Sequence, residues 1–147
     1  MNEPVKTPGG ARGAARERAV QALYQRELTA QNVTDIRAQF LEDQDMAALD
    51  MAYFESLVSG VAAEQSRLDA LFSPYLDRAV PSLDVIERTI LRLASHELAH
   101  EPAVPYRVVI NEAVELTKRF GGDQAHKYVN AVLDKVARDV RPVEMQA

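Results

Sequence analysis

The sequence predicts an all-α fold of about seven helices packed as two small bundles. Three observations carry that expectation. Apolar residues recur at three- and four-residue steps, most plainly at Val129, Val132, Leu133, Val136 and Val140. The strict alternation of a half-buried strand is nearly absent. The punctuation between periodic stretches is that of helices, with prolines and paired glycines at their ends.

Taken in order, residues 1–11 read as a flexible N-terminal arm, polar and containing Pro and Gly. Helices are expected over 12–30, 33–44, 46–64 and 66–79, each on periodicity alone. The next, over 83–101, has Ile86, Ile90, Leu93, Ala94 and Leu98 on one apolar arc, which Glu87 and Glu97 share. Pro102 and Pro105 then force a turn before a helix over 106–119. Gly121-Gly122 ends that helix, and Asp123 is the expected N-cap of the last one, over 123–139. Residues 12–142 should form one helical domain, followed by a tail over 143–147. Asn111 and Asn130, poor helix formers placed in mid-helix, are expected to hold helices together through their amides.

A chain of 147 residues with 47% hydrophobic and 27% charged residues suits an ordinary globular protein able to bury its own core. The absence of cysteine removes thiolate chemistry and sulfur-built metal sites. No apolar run reaches the roughly 18 residues of a membrane span, and the N-terminus lacks an apolar signal segment, so a cytoplasmic location is expected. The net charge of −5 argues against a uniformly basic nucleic-acid binder. The charge is nevertheless uneven. Residues 1–26 hold five bases and two acids, residues 118–141 six bases and three acids, and residues 40–77 eight acids and one base. Two basic ends meeting in space would make a local patch on an acidic protein.

One short motif suggests a different chemistry. His96-Glu97-Leu98-Ala99-His100 has the HExxH spacing that sets two imidazoles one helical turn apart beside a carboxylate, as in zinc hydrolases. Such a site needs a third protein ligand. The extended motif wants Gly and His where this chain has Ala103 and Tyr106, and Glu112 follows too closely for the usual distal glutamate. Three fixed positions arise readily by chance. The expectation is therefore two flank or surface histidines, a partly buried Glu97 with a partner, and no metal or cofactor.

The C-terminal third carries a longer signature: Pro105-Tyr106-Arg107-Val108-Val109-Ile110-Asn111-Glu112-Ala113-Val114-Glu115-Leu116, then Phe120-Gly121, then His126-Lys127-Tyr128-Val129-Asn130-Ala131-Val132-Leu133-Asp134-Lys135. Earlier stand Arg16-Glu17-Arg18-Ala19-Val20-Gln21-Ala22-Leu23-Tyr24, Pro74-Tyr75-Leu76 and Glu87-Arg88-Thr89-Ile90-Leu91-Arg92. In this order they resemble the bacterial transcription antitermination factor NusB family, as a stand-alone factor. The resemblance implies two helical bundles and no catalysis. It implies binding of the single-stranded boxA RNA of ribosomal RNA operon leaders, together with the ribosomal protein NusE, within an antitermination complex on RNA polymerase. A homodimer of the free protein is also a state it allows.

RNA binding requires cations for phosphates and flat side chains for unstacked bases. The resemblance places Arg12, Arg16 and Arg18 in an arginine-rich segment, here thinned by Gly13, Ala14 and Ala15. Their competing reading is a solvated helix start. Tyr75 and Tyr128 are the stacking candidates, with an ordinary half-buried tyrosine as the competitor for Tyr128. Lys127 adjoins Tyr128, Gln124 lies where related proteins often carry an acid, and Lys118 closes the preceding helix with Arg119. Bases at a helix C-terminus are common without any ligand. Tyr24 and Glu87 match family positions near the NusE-binding face. A helical adaptor with little RNA affinity is the alternative from another functional class, and a zinc hydrolase the remote one.

Overall fold

The computed structural model describes residues 10–43 and 49–146. Its elements are all helical: α1 (Gly10–Thr29), α2 (Val33–Asp43), α3 (Met51–Ala63), α4 (Gln65–Phe72), α5 (Val85–His100), α6 (Tyr106–Phe120), α7 (Ala125–Val140) and α8 (Pro142–Gln146), with short 3-10 turns at Ser73–Tyr75 and Val80–Ser82. They fall into two compact units, residues 1–62 and 63–147. Most of the expected arm lies outside the described residues, and Gly10 and Ala11 already belong to α1.

In the first unit the core is made by Ala15, Ala19, Val20 and Leu23 of α1, Ile36 and Phe40 of α2, and Phe54, Leu57 and Val58 of α3. Alanines on α1 keep its face flat, and the Phe40 and Phe54 rings stack beside it with centroids 6.2 Å apart. Residues 44–48 lie outside the described residues, so the expected start of the third helix at 46 is not seen. The helix is formed from Met51, and the Asp50 carboxylate accepts from the Tyr53 N–H at 3.0 Å as its cap.

The second unit is built on α5, against which α4, α6 and α7 pack. Every residue from Thr89 to Leu98 is buried, so this helix is enclosed on all sides rather than along one apolar arc. Polar side chains go inside with it, and each needs a partner. Arg92 meets Asp69 through two hydrogen bonds, at 2.7 and 3.0 Å. Ile90, Leu93 and Leu98 of α5 join Leu68 and Phe72 of α4, Val109 and Ala113 of α6, and Val129, Leu133 and Val136 of α7 in the core.

Several expectations need correction here. The helix expected over 66–79 stops at Phe72, because Pro74 cannot donate to the preceding turn and the chain tightens into a 3-10 turn. The last helix is preceded by Gln124, not Asp123, and Gln124 sits at φ 65° without a side-chain cap. Gly121 is required where it stands, because a Cβ there would lie 2.8 Å from the Thr117 carbonyl oxygen. Asn111 and Asn130 are exposed, so neither amide is buried between helices. The supposed tail is the helix α8, started by Pro142 at its first position.

That last helix is tied down by Arg141, which is buried. Its guanidinium donates to the carbonyls of Leu98 at 2.8 Å, Val104 at 2.9 Å, Glu101 at 2.9 Å and Glu97 at 3.3 Å. It also pairs with Glu144 at 2.9 Å, whose carboxylate in turn accepts from the Tyr106 N–H. The need is local: the carbonyl of Leu98 would ordinarily receive an N–H from the residue four places on, and that residue is Pro102.

Candidate nucleic-acid interface

The two units carry separate parts of the expected site. On α1, Arg12 is half exposed, stands 3.9 Å from the Asp50 carboxylate and lies over the Tyr53 ring at 4.7 Å. Arg16, expected as a phosphate contact, is instead buried, at 3% exposure, with its guanidinium 5.5 Å from the same ring. The helical step of four residues puts both arginines on one face, and both stand against the Tyr53 ring. Arg18 is half-buried and donates to Gln21 at 2.9 Å. The thinned arginine segment therefore offers RNA fewer free cations than its residues suggest. Tyr24, further along α1, is half-buried.

In the second unit the two candidate tyrosines lie on one seam, where the segment after α4 runs beside α7. Tyr75 donates its hydroxyl to Asp139, and Lys135 stands 5.9 Å from its ring. The hydrogen bond to that carboxylate, more than burial, raises the phenol pKa. Tyr128 reaches the other way. Its hydroxyl donates to the Asp77 carboxylate at 2.9 Å and accepts from the Asp77 N–H at 3.1 Å. Burial is the main reason its own pKa is raised. Arg78 lies over the Tyr128 ring at 5.5 Å and grips Asp77 at 2.7 and 3.1 Å. Arg78 first, and then Tyr128, hold the Asp77 carboxyl down to about 2.

The result is a surface with its parts already in place. From Tyr128 to Asp139 the seam follows roughly 16 Å of helix. Each ring is anchored at its hydroxyl, so its orientation does not have to be selected when a flat base arrives. Lys127 and Lys135 are exposed and supply positive charge on α7, while the charge of Arg78 is matched by its pair with Asp77. Lys118 is exposed too, but stands 3.4 Å from Glu115 and is partly neutralised. Gln124, exposed at the start of α7, adds no negative charge there.

Arg78, Asp77, Lys135 and Asp139 were missed in the sequence. A signal existed: Lys135 and Asp139 follow Tyr128 by seven and eleven residues, which returns to the same helix face. Asp77-Arg78 directly follows the Pro74-Tyr75-Leu76 motif.

Glu87, on the first turn of α5, is half-buried. Its carboxylate makes no hydrogen bond or ion pair among the described residues, against the expectation of a partner. Burial and then the charge of Asp84 push its pKa up, opposed by Arg78.

The HExxH segment also departs from expectation. His96 is buried, not on a polar flank, and neither of its ring nitrogens has a hydrogen-bond partner among the described residues. Burial, with repulsion from His100, lowers its pKa. An unpaired buried polar group costs about 1–3 kcal/mol. His100 is exposed and its Nε2 lies 2.6 Å from the carboxylate of Glu64, which precedes α4. Glu97 is fully buried.

The chain is thus an all-helical, two-unit protein whose candidate interface consists of anchored rings and flanking cations. A family model described as the NusB family matches residues 13–138, and the chain belongs to that family. A transcription antitermination protein NusB of Marinobacter nauticus is 46% identical over 145 residues, covering 97% of this chain and 92% of the relative. Its counterpart in Yersinia pestis is 51% identical over 131 residues, covering 89% and 95%. Among solved structures, NusB of T. maritima has a TM-score of 0.79 at 31% identity, over 97% of this chain and 100% of the other. A crystal structure of antitermination factors NusB and NusE in complex with dsRNA has a TM-score of 0.80 at 25% identity, over 88% and 97%.

Proposed function

We propose that this chain is a transcription antitermination factor that binds boxA-type single-stranded RNA together with NusE and promotes read-through by RNA polymerase. The observation that carries the reading is the near-full-length identity with transcription antitermination proteins NusB. The seam of Tyr75, Tyr128, Arg78, Lys127 and Lys135 supports an RNA surface, since stacking and phosphate neutralisation are the two contributions single strands require. Arg12 and Arg18 are proposed as outlying phosphate contacts, and Lys118 as a weak one. Arg16 is proposed to act indirectly, by packing under Tyr53 and holding the helix face that displays Arg12. Glu87 and Tyr24 are proposed to meet NusE, Glu87 because its carboxylate is half-buried yet unpaired and a partner's cation would satisfy it.

No helix among the described residues is long and apolar enough to cross a membrane. In vitro transcription through a terminator downstream of a boxA leader tests the proposal. Adding this chain with NusE and the remaining antitermination factors should increase read-through, and omitting the chain should abolish the increase. Equal read-through with and without it would refute the proposal.

One observation favours a second reading, an adaptor with little RNA affinity of its own. Arg16 is buried and Arg12 faces Asp50, so α1 presents less positive charge than its sequence suggests. In that case NusE would bind this chain while RNA would not.

A further inference from the structure

We propose that Glu64, His96 and His100 form a binding site for a divalent transition-metal cation of the zinc class. One ligand atom from each lies within 4.8 Å of the other two. Two come from successive turns of α5, and the third from the residue that leads into α4. Helical geometry sets the two imidazoles on one face, with ring centroids 5.0 Å apart.

The donor set suits the cation. Bonds of about 2.0–2.2 Å in tetrahedral geometry separate ligand atoms by about 3.4 Å. The His100–Glu64 contact of 2.6 Å must therefore open, and any separation near the 4.8 Å bound must close. Both movements fall on exposed or half-exposed side chains, His100 at 45% and Glu64 at 31%. Glu64 is otherwise lightly held: its side chain does not cap α4, and the Arg67 guanidinium, 85% exposed, approaches only to 4.0 Å.

His96 points to a ligand independently of its neighbours. It is an imidazole enclosed at 6% exposure with both ring nitrogens unbonded among the described residues. A cation held by one nitrogen would satisfy the lone pair that the protein leaves without a partner. Two histidines and one glutamate leave a fourth position on the His100 side, where solvent or a group from a partner can enter.

The site binds; it does not hydrolyse. Glu97, which an HExxH hydrolase would aim at the metal-bound water, is fully buried instead. It is not among the converging donors.

The test uses the untagged full chain, stripped of metal. Co²⁺ serves as the spectroscopic probe, because its visible bands report nitrogen and oxygen ligands in a low-coordinate site, and Zn²⁺ is then added as competitor. One Co²⁺ should bind per chain and be displaced by Zn²⁺. His100→Gln and Glu64→Ala each alter a side chain with an exposed end, so the far-ultraviolet circular dichroism should not change. Each should weaken binding by about tenfold or more, since even outer partners of metal ligands are worth that much. Absence of saturable one-to-one binding in the wild type would overturn the proposal. So would an affinity retained within about tenfold in either correctly folded variant.

Discussion

Replacing Arg141 by Ala should destabilise the second unit more than any exposed substitution. The guanidinium makes hydrogen bonds to four carbonyls and pairs with Glu144. Two of those carbonyls have another donor: Glu97 accepts from the Glu101 N–H and Glu101 from the Val104 N–H. Leu98 cannot be rescued in the same way because Pro102 stands four residues on, and Val104 loses its side-chain donor as well. Two stranded acceptors at about 1–3 kcal/mol each, lowered by water entering part of the space, give a loss of about 2–4 kcal/mol. Arg141→Lys keeps the charge but presents one compact ammonium in place of a planar fork, so it should recover less than half of that loss. Urea unfolding followed by the helix signal in circular dichroism measures both. A loss below about 1 kcal/mol for Arg141→Ala, or full rescue by Lys, would mean that these carbonyls do not depend on the guanidinium.

The seam makes a prediction about pH. Asp77 has its folded pKa lowered from 3.8 to about 2, so its contribution to stability is present above the unfolded value and is lost as pH falls through the folded one, between about 4 and 2. A carboxylate-resolved NMR titration should show that inflection; Arg78→Ala should raise it more than Tyr128→Phe, and the reverse order would mean the phenol is the main support. Glu87 shifts the other way: its pKa is raised above 4.5, so its charged form weakens the fold as pH rises through that region. Glu87→Gln should therefore leave the free chain as stable or more so at neutral pH while weakening NusE binding, measured by thermal melts and calorimetric titration. A destabilised free chain with unchanged NusE affinity would show that the carboxylate has an internal role.

Much of the fold was legible because it depends on period. The stripe Val129, Val132, Leu133, Val136 marks α7 in the sequence and is its buried face in the structure. Where the sequence reading failed, the deciding partner stood far along the chain. A helical wheel of α5 counts apolar side chains, so it puts His96 on a polar flank and cannot see that α4, α6 and α7 enclose the helix. Arg92 is buried because Asp69 meets it, 23 residues away in sequence. Glu64 comes to His100 for the same reason: α4 packs on α5, which no local pattern encodes. Arg16 shows the limit for the candidate interface. Its residue type and family position suggest a phosphate contact, and only the folded chain reveals that it is buried. The two tyrosines were legible as candidates, but their anchoring to Asp77 and Asp139 was not, since those contacts cross 51 and 64 residues.

The most direct test of RNA binding is a fluorescence-anisotropy titration of labelled boxA RNA with this chain, with and without NusE, over a range of salt. Binding should be saturable and strengthened by NusE. Tyr128→Ala should weaken it while leaving helicity intact, and Lys127→Ala should lower the logarithmic salt slope by about 0.7. No binding to boxA RNA even with NusE present would contradict the proposed function.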